Sequence, residues 1–214
     1  MEIQLRLEET SDYRTVEELT RDAFWNRHVP GCDEHYLAHI LRNSAVFIKE
    51  LDFVAVVNGQ IVGNIMYSKA LIQGDDGLRY PVLSFGPVSV QSNMQGIGIG
   101  SALIRHTMEL ASSLGHQAII IYGDPDYYQR FGFECAEHFN IGTAWDTYAT
   151  PLLACELRPG ALQSCPGKFF EDDIYHLDKT ASASFDQNFP PREKRSDLPS
   201  QKRFSELVAM NRPR

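Results

Sequence analysis

Apolar residues alternate with polar ones at Ile3, Leu5 and Leu7, which predicts an opening strand. The period then lengthens. Behind Ser11, Val16, Leu19 and the pair Ala23-Phe24 recur at helical spacing, and Glu34 to Leu41 predicts a second helix. Phe53 to Val57 and Ile61 to Leu71 read as two strands of a hairpin, with Asn58-Gly59 as the turn. "GDDG" at 74–77 is a further turn, and a strand follows from Tyr80 to Val90. Gly86-Pro87 predicts an interruption or bulge within it, because proline removes a ladder donor.

A helix is predicted next, with Ile99, Leu103, Leu110, Ala111 and Leu114 on one apolar face and Gly115 as its stop. "QAIIIY" at 117–122 is an apolar run of the buried-strand kind. "GDPDYYQRFGF" then predicts a short helix: Asp124 is placed as N-cap, Pro125 at the first helical position and Gly132 at the C-terminal stop. Strands are expected from Phe133 and at 151–157. The pattern is mixed α/β, without internal repeats or low-complexity tracts.

From "RPGALQSCPGK" onward, proline and glycine mark a boundary. The expected organisation is a main domain over 1–157 and a C-terminal extension over 158–214. Helices are expected in the extension around Asp172 to Phe185 and from Ser200 to Met210.

Composition narrows the class. A chain of 214 residues, 43% hydrophobic and 22% charged, is ordinary for a soluble globular protein. The N-terminal stretch has neither a basic start nor an apolar segment, and no run approaches a membrane span. These features predict a cytoplasmic protein with no membrane partner. The four cysteines, Cys32, Cys135, Cys155 and Cys165, form no CxxC pair, which argues for reduced thiols over a zinc or disulfide framework.

The net charge of −8 is unevenly spread. From Pro190 to Arg214, seven Lys/Arg stand against three Asp/Glu, a net of +4, which leaves −12 for the rest. An acidic body does not suit nucleic acid and would suit a cationic substrate. The basic tail is expected to dock on that body.

The candidate chemistry centres on "QGIGIGS", residues 95–101. Glycine inside a helix costs about 0.5–1 kcal/mol relative to alanine, so Gly96, Gly98 and Gly100 at a helix start ask for an offset. A helix N-terminus carries unpaired N–H donors and about half a positive charge, and bare glycines let a phosphate approach the main chain. The alternative is a tight turn that needs positive φ. The P-loop lysine is missing, and Gly96-x-Gly98-x-x-Ser101 matches the dinucleotide fingerprint only loosely, because "QSNMQ" separates it from the strand.

Gln95-x-x-Gly98-x-Gly100 resembles the Q/RxxGxG/A signature of the GNAT N-acetyltransferases. "GPVSV" before it and "YYQRFGF" after it are similar to the strand and the tyrosine motif of that family. The resemblance covers about Ile3 to Leu157. It implies a GNAT fold, a mixed central sheet splayed around a CoA-binding slot with helices on both faces. It also implies acetyl-CoA as cosubstrate.

Residue by residue, it implies that the backbone of Gln95, Gly96, Ile97, Gly98, Ile99, Gly100 and Ser101 holds the pyrophosphate. The main chain of Val88 and Val90 would pair with the pantetheine arm, and Tyr128 would be the general acid. The four-residue spacing to Gly132-Phe133 favours Tyr128 over Tyr127. The chemistry agrees with that role: a tyrosine keeps its proton near neutral pH and can hand it to the leaving thiolate. The reaction implied is acetyl transfer to a primary amine of a small molecule or peptide.

The asparagine that many members carry before the tyrosine helix is replaced by "YGDPD". No general base stands out, with Ser84, Glu34 and His28 all conceivable. His35 and His39 at i, i+4 read as a polar helix face, and no metal site is expected. Two other readings stay open on sequence alone: an acyl-CoA-binding module without turnover, and a dinucleotide-dependent oxidoreductase. Monomer and homodimer are both compatible with the sequence.

Overall fold

The computed structural model describes residues 2–214. Strand β1 (Gln4–Leu7) leads to helices α1 (Tyr13–Phe24) and α2 (Glu34–Leu41), then to β2 (Phe53–Val57), β3 (Gln60–Gly74) and β4 (Arg79–Val90). Next come α3 (Ile99–Ser113), β5 (Ala118–Tyr122), α4 (Pro125–Tyr128), β6 (Glu134–Cys135), β7 (Ile141–Gly142), β8 (Thr147–Ala149) and β9 (Leu152–Glu156). The C-terminal part adds β10 (Gly167–Phe170), α5 (Lys179–Asp186), α6 (Pro199–Ala209) and β11 (Asn211–Pro213).

The main sheet follows the order β1-β2-β3-β4-β5-β9-β6, with β10 alongside β3 and β7, while β11 and β8 form a separate pair. Pairing is mostly antiparallel. The β4–β5 pair is parallel and is registered at Leu83 and Ile119. The mixed α/β class read from the periodicities is therefore the observed one.

Local signals account for most element ends. Asn58 and Gly59 both take positive φ in the β2–β3 turn, as a two-residue hairpin requires. Helix α3 ends in a Schellman arrangement: Gly115, at φ +92°, donates to the Ser112 carbonyl, and His116 donates to that of Ala111.

Other expectations are corrected. Strand β4 continues through Gly86-Pro87, so the expected interruption does not end it, and the peptide bond between them is cis; proline's fixed φ is compatible with extended backbone. Leu114 lies past the end of α3 and is exposed. The helix expected around 172–185 begins at Lys179, where the Asp178 side chain caps the N–H groups of Thr180 and Ala181.

The chain divides into two compact units. The first holds the residues up to Tyr67 together with Gly86–Ile104 and Asp173–Phe204. Its core includes Val16, Leu37, Ala38, Leu41, Ile65 and Met66. Much of the C-terminal segment is bound to α1 and α2 within this unit. Arg21 reaches Asp186 with two nitrogens at 2.6 and 3.3 Å, and Trp25 Nε1 donates to the Glu193 carbonyl at 2.9 Å. Arg14 lies 3.8 Å above the Phe189 ring, Ser182 donates to Asp33 at 2.5 Å, and Arg192 pairs with Asp22.

The second unit holds Ser68–Phe85, Arg105–Asp172 and Ser205–Arg214. Ile72, Val82, Ile120, Leu152, Leu162 and Phe169 are part of its core. Here the last residues pair with acidic positions, Arg212 with Glu137 and Arg214 with Asp75. All four cysteines are free.

Candidate active site

The glycine loop belongs to the first unit and is built from the strand before it. Ser89 is fully buried and donates to Thr20 at 2.9 Å, so by the alternation of a strand Val88 and Val90 face the other way, where both are half-buried. Gln95 folds back to donate from Nε2 to the Val90 carbonyl at 3.1 Å, which closes the loop. Beyond it, Ile99, Leu103 and Ile104 anchor the first turns of α3 in the core. Gly63 of β3 permits that approach: a Cβ there would meet Ile99 and Leu103 at 3.0 Å.

Gly96 and Gly98 take φ of +78° and +97°, and a Cβ at either would meet nothing within 4 Å. Positive φ thus accounts for two of the three glycines, as the turn reading anticipates. Gly100 is already helical and buried. The first backbone bond into α3 is donated by Ala102 to the Gly98 carbonyl. At the N-terminus of the fifteen-residue helix α3, the first-turn N–H groups of Ile99, Gly100 and Ser101 have no acceptor within the helix and carry partial positive charge, the kind of surface that suits an anion. The residues from Gln95 to Gly98 are exposed.

Tyr128 belongs to the second unit. Asp124 caps α4 by accepting from the Asp126 N–H at 3.0 Å, Pro125 occupies the first turn, and Gly132 closes the following turn at φ +88°. These devices aim the Tyr128 ring into an aromatic wall, with ring centroids 5.9 Å from Phe85 and 5.7 Å from Phe133. Its hydroxyl has no hydrogen-bond partner among the described residues. Desolvation raises its pKa above the ordinary phenol range, so it holds its proton at neutral pH. Tyr127 differs, packing edge-on against Tyr128 with Arg130 4.8 Å from its ring centre.

The residues weighed as general bases are committed elsewhere. His28 lies 3.3 Å from Glu34 and stacks on Phe204, and Glu34 also accepts from the Asp33 N–H. Ser84 is buried and donates to Glu171 at 3.5 Å. His35 and His39 do not face a common ligand. His35 is wholly buried beside Cys32 and Asp186, while His39 contacts Glu17 at 2.9 Å. Burial holds the Cys32 thiol well above its usual range and His35 below its own, so this buried cysteine and histidine stay neutral and inert.

A family model described as acetyltransferase (GNAT) domain matches residues 49–135, which include the glycine loop and the tyrosine turn. The N-acetyltransferase YhbS of Escherichia coli K12 is 29% identical over 147 residues, 68% of this chain and 85% of its own length. Residues 49–135 thus carry the GNAT acetyltransferase match, and the chain is similar to N-acetyltransferases of that family.

Solved structures agree with that family. A GNAT acetyltransferase from Brucella melitensis in complex with acetyl-CoA superimposes with a TM-score of 0.65 at 26% identity, covering 81% of this chain and 98% of the other. The E. coli YhbS structure in complex with CoA shares the fold with a TM-score of 0.71 at 24% identity, covering 82% and 92%. The chain is accordingly an acetyltransferase. One feature of its tyrosine turn went unread in the sequence: Gly123, directly before the cap, lies under the Tyr128 ring. A glycine between an apolar strand and a capping aspartate was the available signal.

Proposed function

We propose that this chain transfers acetyl from acetyl-CoA to a primary amine by direct attack, with Tyr128 as the general acid. The observation that carries the reading is the start of α3, where the N–H groups of Ile99, Gly100 and Ser101 have no acceptor within the helix and the approach is left bare by glycine. A diphosphate needs such a surface. Its charge meets the partial positive charge of the helix end, and no side chain stands between.

Acetyl-CoA supplies a thioester carbonyl as the electrophile. In this reading the loop fixes the cosubstrate, and extended main chain at Val88 and Val90 aligns the pantetheine arm. Tyr128 keeps its proton until the sulfur leaves and then delivers it. Its free hydroxyl and raised pKa suit a donor at neutral pH. The acidic balance of the chain, net −8, favours cationic acceptors over anionic ones.

The test is thiol release from acetyl-CoA with a panel of primary amines, with the N-acetyl product identified by mass. Turnover with at least one amine is expected. Acetyl-CoA binding without turnover on any amine would leave a binding module in place of an enzyme that acetylates amines.

A further inference from the structure

Glu171 stands one residue past β10, which runs antiparallel to β3 with Phe170 opposite Leu71. The half-buried Glu171 carboxylate receives the Ser84 hydroxyl at 3.5 Å. Two residues before it, the Phe169 ring lies 6.1 Å from that of Tyr122. Tyr122, the last residue of β5, is held above the ordinary phenol range, first by desolvation and then by the charge of Glu171. Glu171 therefore neighbours Ser84 on β4, and its charge reaches Tyr122 on β5.

Tyr128 neighbours the very next residue on each strand. Its ring packs on Phe85 of β4, and it covers Gly123 just after β5. Successive residues of a strand point to opposite faces. The carboxylate, on Ser84, and the phenol, on Phe85, thus lie on the two sides of β4 at adjacent residues, just beyond the registered pair Leu83–Ile119. All of these residues lie in the second unit.

We propose that Glu171 is the general base of the transfer and the anion that draws in the acceptor's ammonium, so that the acceptor is a cationic primary amine entering on the β10 side. This rests on the acetyl-transfer reading above. Glu171 accepts one proton from the ammonium and passes it to solvent. The neutral amine attacks the thioester carbonyl, forming the C–N bond as the C–S bond breaks. Tyr128 protonates the thiolate, and the second proton of the amine restores the phenol through water. The sum is an amide, free CoA thiol and one proton released.

The contribution expected of a general base is roughly 10²–10⁴-fold. In the full chain, Glu171→Gln keeps the size of the side chain and loses the base. Acetyl-CoA affinity is measured by titration, and kcat and KM by thiol release with phenethylamine, spermidine and lysine methyl ester. The expected result is a kcat lower by roughly 10²–10⁴-fold, with acetyl-CoA affinity changed by less than about twofold. Glu171→Asp should retain more activity than Glu171→Gln, and added formate should restore part of the rate of Glu171→Ala.

Wild-type turnover by Glu171→Gln would overturn the proposal. So would loss of acetyl-CoA affinity in step with activity, together with a fall in melting temperature, because that pattern marks a structural contact. If the wild-type protein releases no thiol with any of the three amines, the amine-transfer reading falls and this inference falls with it.

Discussion

The ring of Tyr128 occupies the space that a side chain on Gly123 would need: a Cβ built at Gly123 would lie 2.4 Å from Tyr128 Cε2 and 2.5 Å from Cδ2. Gly123→Ala must therefore displace the ring or the end of β5. Overpacking of this kind costs about 1–3 kcal/mol, and a displacement near 1 Å at a reacting group can cost about 10²-fold in rate. The expected outcome is a kcat reduced by about 10- to 100-fold with acetyl-CoA affinity nearly unchanged. Steady-state kinetics beside a binding titration checks it, and unchanged kcat would mean that the position of the Tyr128 ring is not critical.

Much of this arrangement was legible in the sequence, and the rest was not, for physical reasons. Helix α2 and strand β2 occupy the very spans that their periodicities predict. The cap, proline and glycine around α4 read correctly because each signal is local. Strand β10 went unseen: four residues beside Pro166 are too short for a period, and they are extended because they pair with β3, nearly a hundred residues earlier. Glu171 shared that fate. Nothing in "KFFEDD" announces a carboxylate near β4 and β5; only the pairing with β3 carries it there.

The glycine loop permits a clean separation of backbone strain from ligand binding. Gly98 sits at φ +97° with open space around it, so any L-residue is strained there by about 1–2 kcal/mol whatever its size. Gly98→Ala and Gly98→Glu should lose similar stability, read by urea unfolding. Only the glutamate also sets a negative charge beside the N–H groups that open α3, so it should abolish acetyl-CoA binding while the alanine variant retains part of it. Retained affinity in a folded Gly98→Glu protein would remove the loop from the cosubstrate site.

Within the first unit, the segment after Asp173 is held by buried contacts as well as by surface charge. Phe189 is 5% exposed and packs against His35 at 5.1 Å and under Arg14. Phe189→Ala should cost about 3–5 kcal/mol by the usual price of an aromatic cavity. Truncation after Leu157 removes this packing and the β10 pairing as well, and should yield insoluble or unfolded protein. A soluble truncated chain with the wild-type melting temperature would show that the segment is dispensable for folding.

Arg42 is fully engaged by carboxylates: it pairs with Glu8 at 2.7 Å and with Glu17 at 3.0 Å. Asp52, buried beside them, hydrogen-bonds to Glu8 and accepts from Asn64 at 3.0 Å. Desolvation and the neighbouring Glu8 hold the Asp52 carboxyl well above the usual carboxylate range, so it is the member of the set that keeps a proton. The sign follows from proton counts. Above about pH 4 the unfolded chain has lost this proton and the folded chain retains it, so stability falls as pH rises, by at most about 1.4 kcal/mol per unit. Asp52→Asn can keep both hydrogen bonds without titrating. It should match wild type near pH 4 and exceed it near pH 8, as read by urea unfolding across that range; parallel pH profiles for the two proteins would place the ionised carboxylate in the folded state.

The sharpest contrast lies between adjacent tyrosines. Tyr128 and Tyr127 meet edge to face with ring centroids 4.9 Å apart, so each substitution by phenylalanine keeps the same aromatic packing and removes one hydroxyl. The Tyr128 hydroxyl has no partner among the described residues, so its loss breaks no hydrogen bond of the fold, and stability should change by less than about 1 kcal/mol. What Tyr128→Phe removes is the proton for the departing thiolate. With an accepting amine, kcat should fall by roughly 10²–10⁴-fold while acetyl-CoA affinity stays near wild type. Tyr127→Phe should remain within a fewfold of wild type, because its ring lies under Arg130 and its hydroxyl has no role in the proposed step. Water reaching the sulfur would narrow the gap between the two variants without reversing their order. Equal rates for both, measured where chemistry limits turnover, would assign the proton to another donor and leave Tyr128 as a wall of the site.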